Sequence, residues 1–280
     1  MKLRMSISKR QKIYLFLFFV IGFLTIETFL WKELLINKIE SVHSEYIVNN
    51  ISDYNKKEVG NITFYYKKDI NIEEIITRSQ KMIEEVNRNF QQEQNENFNI
   101  VIYPNSFEMN SGLRLPAQGK TLGAYYGGNI FLLSPELLNS KDAGLDNIIL
   151  HEYCHLLLDK RTRGNHPIWF TEGVALYQEY IITGYEWGRD YGYTRPPYLL
   201  EELRNQFYKI DDFWAYRFSF LRVRFLTEAY GGEILLKIIN ELAKGTSYEN
   251  SLYNILGKNY KDVENQFLLW YDTKIYDKLY

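Results

Sequence analysis

Cysteine and histidine are scarce in this chain, whose 280 residues include one cysteine and four histidines. The single Cys154 has no partner within the chain, which excludes an internal disulfide. Because Cys154 lies in an apolar stretch, we expect it to be a small core residue. No cysteine lies near the N-terminus, so a lipoprotein anchor is also excluded. The lack of disulfides is compatible with a cytosolic protein and with an extracellular bacterial one.

Outside its N-terminal segment the chain has fewer basic than acidic residues. Residues 1–12 hold five basic side chains and no acid, and the remainder has 28 Lys and Arg against 35 Asp and Glu. This acidic surplus argues against nucleic acid as a partner and against electrostatic attachment to anionic lipid. Residues 60–280 also contain no internal repeat, low-complexity tract or Pro/Ser-rich linker. We therefore expect a single compact unit over that range.

One long apolar run stands out, at residues 13–31. Its length is sufficient to span a bilayer, and the basic flank before it predicts a cytoplasmic N-terminus. A cleaved signal peptide has a shorter apolar region and ends in a small-x-small site, whereas this run ends in Thr-Phe-Leu-Trp. We therefore predict an uncleaved single-pass anchor in the cell membrane. Residues 32–58 then form a juxtamembrane stalk, and residues 59–280 form a domain outside the cell.

The most informative local pattern is His151-Glu152-Tyr153-Cys154-His155, which holds two of the four histidines. Apolar residues around it recur near the helical period, which predicts a buried helix over about 143–158, with Asp142 as its candidate cap. Two histidines four positions apart share one face of a helix, so both imidazoles reach a single metal ion. Glu152 lies on the adjacent side, where it can hold a water. Burying these groups without a partner is costly, which favours a metal over a pair of core histidines.

A catalytic zinc site needs a third protein ligand and one open position. Two candidates follow the motif: His166 in a loop-like segment, and Glu172 in a second helix predicted over about 167–183, with a proline at its start and a glycine at its end. A short connection makes the two helices antiparallel neighbours, which brings Glu172 back beside the histidines. Glu179 shares that face about 10 Å further along, at 1.5 Å per residue. Two imidazoles and one carboxylate suit Zn(II).

The motif followed by Trp-Phe-Thr-Glu-Gly at residues 169–173 resembles the gluzincin-type HExxH zinc metallopeptidases. The resemblance is closest to the compact bacterial branch of the peptidase MA superfamily, and it is sharp over about 125–185. It differs from the metzincin pattern, whose third histidine would fall at position 161, an arginine here. The resemblance implies one Zn²⁺ per chain, with Glu152 as the general base that activates water. The metal ligands that it implies are His151, His155 and Glu172.

The resemblance also implies a second hydrogen-bond donor to the oxyanion of the transition state. Tyr216 stands where relatives carry such a tyrosine, with Tyr191, Tyr193 and His166 as alternatives. Carboxylates that orient the ligand imidazoles are expected too. The sequence leaves three candidates for that role: Asp159, Glu179 and Asp190.

Segments with strand character precede the motif, and helical patterns follow it. Before the motif, we predict strands at 62–66, 98–103 and 130–133, a helix at 72–90 and a loop at 104–121. After residue 185, we predict helices at 198–207, 213–230, 233–244, 248–256 and 260–278. The fold class is therefore α+β: a small N-terminal mixed sheet, then a mostly helical C-terminal lobe, with a cleft between them.

In proteins of the resembled family an edge strand lies beside the metal helix and pairs with the extended substrate. Here the resemblance points to the strand at 130–133, with Gly127 and Gly128 allowing a close backbone approach. An ordinary hairpin with a turn at 127–129 is the alternative, and the two are compatible.

Together these features predict a membrane-anchored zinc metallopeptidase whose substrates are peptides or proteins at the cell surface. Two alternatives stay open. One is a catalytically inactive peptide- or metal-binding module on the same fold. The other is a zinc hydrolase of non-peptide amides, such as a cell-wall link, with which the tyrosine-rich segment 185–198 is compatible.

Overall fold

The computed structural model describes most of the chain after residue 37. The described ranges are 38–67, 70–92, 96–115, 121–138, 144–189 and 195–273. Several predictions concern residues outside these ranges: the tail at 1–12, the anchor at 13–31, Asp142, Asp190, Tyr191 and Tyr193. Among the helices of the described ranges, none combines the length and apolarity that a membrane span requires.

Five strands form one mixed sheet in the order β1-β2-β3-β5-β4. The strands are β1 (Asn55–Val59), β2 (Ile62–Tyr66), β3 (Phe98–Tyr103), β4 (Gly123–Tyr126) and β5 (Asn129–Leu133). The pairs β2–β3 and β3–β5 are parallel, whereas β1–β2 and β4–β5 are antiparallel hairpins. The predicted strands at 62–66, 98–103 and 130–133 are therefore confirmed.

The prediction that 130–133 is the edge strand is wrong, because that segment lies inside the sheet. All of β5 is buried between β3 and β4. A strand as apolar as Ile-Phe-Leu-Leu needs cover on both faces, and a central position provides it. The edge is β4, and the turn that joins it to β5 is formed by Gly127 and Gly128, both with positive φ. The hairpin alternative is thus confirmed.

The segment before the sheet, which lies within the predicted stalk at 32–58, packs on the domain. Residues 38–50 are helical and are called α1 here. Ile47 and Val48 of α1 are buried in a cluster with Val101 and Phe131 on one face of the sheet. The strand β1 that follows has mostly charged residues in alternating half-buried and exposed positions, so it lacks the apolar pattern that marks a strand.

The helices largely follow the predicted segments. They are α2 (Ile72–Phe90), α3 (Ser106–Leu113), α4 (Leu145–Thr162), α5 (Ile168–Thr183), α6 (Leu200–Gln206), α7 (Asp212–Tyr230), α8 (Ile234–Ala243), α9 (Tyr248–Leu256) and α10 (Tyr260–Tyr271). Helix α3 lies in the predicted loop at 104–121, where the Asn105 side chain caps its start. Helix α4 runs four residues past the predicted end, because its basic last turn is favourable at a helix C-terminus.

Helix α4 lies between the sheet and the helical lobe. Its apolar side chains share one core with α2 and the sheet on one side, and with α5, α7 and α8 on the other. Cys154 is fully buried in this core, as expected of a small apolar residue. The α+β class is confirmed, and the histidine motif lies where the two parts of the fold meet.

Candidate metal centre

The two helices α4 and α5 bring three potential metal ligands together. One donor atom each from His151, His155 and Glu172 lies within 4.8 Å of the others. Glu172 Oε2 is 3.1 Å from His151 Nε2 and 3.4 Å from His155 Nε2. The three side chains thus converge as the antiparallel arrangement of the helices predicted. His166 is not part of this cluster.

The other ring nitrogen of each histidine has its own partner. His151 Nδ1 lies 2.8 Å from Glu179 Oε1, and His155 Nδ1 lies 2.8 Å from Thr171 Oγ1. Partners of this kind fix the orientation of an imidazole and leave Nε2 for a metal. Glu179 was one of the sequence candidates for this role. Thr171 was missed, because a threonine in a buried helix usually bonds to its own backbone.

Glycine at position 173 allows the close packing that places Glu172. A Cβ built on Gly173 would lie 2.4 Å from the backbone oxygen of Ser219 on α7. Any side chain there would push α5 away from α7. The glycine that follows Glu172 in the sequence motif therefore has a packing role, which the sequence alone does not reveal.

Charges around the cluster favour a cation at its centre. Burial opposes ionisation of Glu172, yet the two imidazoles hold its pKa well below the ordinary value. Burial also opposes a charged His151, yet Glu172 and Glu179 raise the pKa of that imidazole well above its usual range. Two carboxylates thus stabilise positive charge at this point, which either a proton or a metal ion can supply. The donor set, two imidazole nitrogens and one carboxylate oxygen, fits a divalent transition metal.

Glu152 lies beside the cluster and is held by the edge strand. The backbone N–H of Tyr125 on β4 donates to Glu152 Oε2 at 2.6 Å. Burial raises the pKa of the Glu152 carboxyl, an effect that the nearby histidines partly offset. The close approach of β4 to α4 requires Gly123, where an added Cβ would lie 2.5 Å from Ile148 Cγ2. The sequence offered no sign of this backbone contact.

A cleft of about 640 Å³ opens next to His151 and Glu152. Tyr216 of α7 lines it and packs edge-on against Phe207, with the ring centroids 5.4 Å apart. Burial and the charge of Glu172 raise the pKa of the Tyr216 phenol, so the phenol stays protonated. Most of the remaining lining is apolar, and its apolar side chains are Leu122, Ile148, Leu176, Trp187 and Phe213.

His166 and Asp159 lie near each other and are not part of the cluster of metal ligands. Neither ring nitrogen of His166 has a hydrogen-bond partner within the described ranges, and its Nε2 is 3.9 Å from Asp159 Oδ1. Burial lowers the pKa of His166 to about 4, so its ring is neutral. Asp159 accepts a hydrogen bond from the Tyr125 hydroxyl at 2.5 Å and does not touch either ligand imidazole. Of the three candidate orienting acids, the described residues therefore support Glu179.

A model of the peptidase MA superfamily matches residues 79–273, which include α4, α5 and α7. The chain belongs to the peptidase MA superfamily. Its fold is accordingly of the metallopeptidase type, and members of the superfamily typically depend on zinc. A search of curated proteins found no significant match. Residues 38–78, with α1, β1 and β2, precede the matched range.

Proposed function

We propose that this chain is a zinc-dependent metallopeptidase that hydrolyses peptide bonds in peptides or proteins at the outer face of the cell membrane. The observation that carries the proposal is the convergence of His151, His155 and Glu172, with Glu152 lining the same cleft as His151. Membership of the peptidase MA superfamily supports the reaction class. A zinc site with a purely structural role would have four protein ligands, whereas the part of the chain that the structure describes provides three.

His151 Nε2, His155 Nε2 and the Glu172 carboxylate are the groups that would hold the zinc ion. When bound, zinc supplies a Lewis acid that polarises the scissile carbonyl and makes water more acidic. Glu152 accepts the proton of the attacking water and then delivers it to the leaving amine. Because the Tyr125 N–H holds Oε2 of Glu152, we assign the proton transfer to Oε1. Glu179 and Thr171 keep the imidazoles in the orientation that binding requires.

Tyr216 is our candidate for the donor that stabilises the oxyanion. Its phenol lines the same cleft as Glu152 and His151. A raised pKa keeps the hydroxyl protonated at working pH, so it can donate to the negative oxygen that forms during attack. The packing of its ring against Phe207 restricts its movement.

The edge strand β4 is our candidate for the surface that binds the peptide backbone. Leu133 N–H donates to Leu122 O, and hydrogen-bonded pairs alternate along an antiparallel ladder. Gly123 and Tyr125 are therefore in the non-bonded register, with backbone groups directed away from β5. Because the Tyr125 N–H is already bonded to Glu152, an extended peptide would gain main-chain hydrogen bonds from Gly123 and from the Tyr125 carbonyl oxygen. The mostly apolar lining of the adjacent cleft supports a preference for a large apolar side chain next to the scissile bond.

The experiment that tests this function combines metal analysis with a peptide library, both on the full chain in detergent. We expect about one zinc per chain, cleavage that stops when a chelator removes zinc, and recovery on adding zinc back. Cleaved peptides should be enriched in Leu, Phe or Trp beside the scissile bond. Full cleavage without metal would contradict the proposal. A chain that binds zinc and peptides without cleaving them would indicate the inactive module, and cleavage of cell-wall amides alone would indicate the third alternative.

We also propose that residues 13–31 anchor the chain with its N-terminus in the cytoplasm. The basic flank at 1–12 supports this orientation. A phosphatase that is active only outside the cell should be active when fused after Tyr280. The same enzyme fused after Lys12 serves as the matched control and should be inactive. The reverse pattern would overturn the orientation.

A further inference from the structure

We propose that α1 is a positioning element of the active site, which holds the edge strand β4 in place beside Glu152. The inference rests on the proposed function, since it assigns β4 and Glu152 to substrate binding and proton transfer. Helix α1 precedes the range matched by the superfamily model. The segment between the predicted anchor and the domain therefore acts on catalysis, in addition to linking the two.

A buried serine of α1 bonds to both residues that flank the turn of the β4–β5 hairpin. Ser44 has no exposed surface. Its Oγ donates to the backbone oxygen of Tyr126 at 3.0 Å and accepts from Asn129 Nδ2 at 2.8 Å. Oδ1 of the same Asn129 side chain accepts two hydrogen bonds from Asn99 on β3, one from its backbone N–H at 2.9 Å and one from its side-chain amide at 2.8 Å. A single hydroxyl thus links α1 to the end of β4, the start of β5 and, through Asn129, to β3.

The turn of the same hairpin lies directly on the backbone of α1. A Cβ built on Gly127 would lie 2.3 Å from the carbonyl oxygen of Glu40 and 2.7 Å from Ser44 Cβ. Glycine is therefore required at this point by the contact with α1 as well as by its φ of 54°. His43 adds a further contact, since its Nδ1 lies 3.1 Å from the Tyr126 hydroxyl.

These contacts lie one residue along the chain from Tyr125, whose backbone N–H holds Glu152. Tyr126 is bonded to Ser44, and the N–H of its neighbour Tyr125 donates to Glu152 Oε2. As an edge strand of four residues, β4 has a hydrogen-bonded neighbour strand on one side only. Contacts with α1 therefore help to fix the position of the turn that follows β4. A misplacement of about 1 Å near reacting groups can lower a rate by about 100-fold.

Two glycine variants of the full, zinc-loaded chain test the proposal. Gly127→Ala places a methyl group against α1, whereas Gly128→Ala has no atom within 4 Å of the new Cβ. The control is at least as strained in its backbone, because its φ of 90° is further from the left-handed helical region than 54°. We expect Gly127→Ala to lower kcat at least tenfold with about one zinc still bound, and Gly128→Ala to keep kcat within threefold. Equal kcat values in the two variants would overturn the proposal.

A milder pair of variants covers the case in which Gly127→Ala does not fold. Ser44→Ala removes only the buried hydroxyl, and Ser41→Ala makes the same change on the same helix at a position with no hydrogen bond to the hairpin. We expect a three- to tenfold lower kcat in Ser44→Ala and no change in Ser41→Ala. A purely structural role would lower the melting temperature of Ser44→Ala and leave kcat per zinc-loaded molecule unchanged.

Hydrogen exchange provides a readout that does not depend on catalysis. Amides of residues 123–133 should exchange faster in Gly127→Ala and Ser44→Ala than in their matched controls. If the wild-type chain cleaves no peptide while this exchange pattern is observed, the proposed function fails and the positioning role of α1 stands. If the wild-type chain cleaves peptides and neither exchange nor kcat responds to the two variants, the positioning role fails alone.

Discussion

Glutamine in place of Glu152 should abolish peptide hydrolysis while the chain keeps its zinc and its fold. An amide cannot accept the proton of the attacking water, and general base catalysis contributes about 100- to 10,000-fold. The amide oxygen of glutamine can still accept the hydrogen bond from the Tyr125 N–H, so the local geometry is retained. Because burial raises the pKa of Glu152, its charged form is disfavoured in the folded state. Replacing it with a neutral group should therefore not destabilise the protein.

The measurement is kcat on a library-derived peptide, together with zinc content and melting temperature. Tyr216→Phe is the informative comparison, because it removes one proposed oxyanion donor and leaves the base in place. We expect a loss of about 100- to 1,000-fold in kcat for that variant, as for other single oxyanion donors. Unchanged biological activity in Glu152→Gln would favour the binding-module alternative over the peptidase.

Both helices of the metal centre could be predicted closely from the sequence. Helix α5 begins one residue after Pro167 and is followed by Gly184, which adopts the left-handed conformation expected of a C-cap. Signals of this kind depend on residues that are close in sequence, so they can be recognised without knowing the tertiary structure. By contrast, β1 and α3 were missed, since neither shows the apolar periodicity on which sequence-based assignment depends.

The positions that could not be predicted are those fixed by tertiary contact. A hydrogen bond from the backbone of Tyr125 involves an N–H that every residue except proline possesses, so no residue type marks it. Thr171 orients His155 only because α5 packs beside α4. Likewise, the apolar run at 130–133 identifies a strand and does not say which neighbour covers it, which is why its assignment to the edge was wrong.

Metal binding should depend strongly on the third ligand, Glu172. Alanine in place of Glu172 should remove nearly all zinc and lower kcat at least 1,000-fold. Glu172 Oε2 is the atom that approaches both imidazoles, so its loss leaves two ligands, too few for a stable zinc site. Glu179 remains beside His151 in this variant, but it contacts Nδ1, on the side of the ring away from the ligand cluster.

His166→Ala is the matched control, because His166 was the other candidate ligand in the sequence. Its ring nitrogens lie outside the cluster formed by His151, His155 and Glu172, so zinc should be retained at about one per chain. Zinc content is measured after dialysis against a competing chelator, with the melting temperature recorded to confirm folding. Zinc retained in Glu172→Ala and lost in His166→Ala would make the histidine the third ligand. In that case the loop between α4 and α5, which carries His166, would have to bring a ring nitrogen of His166 into the cluster on metal binding.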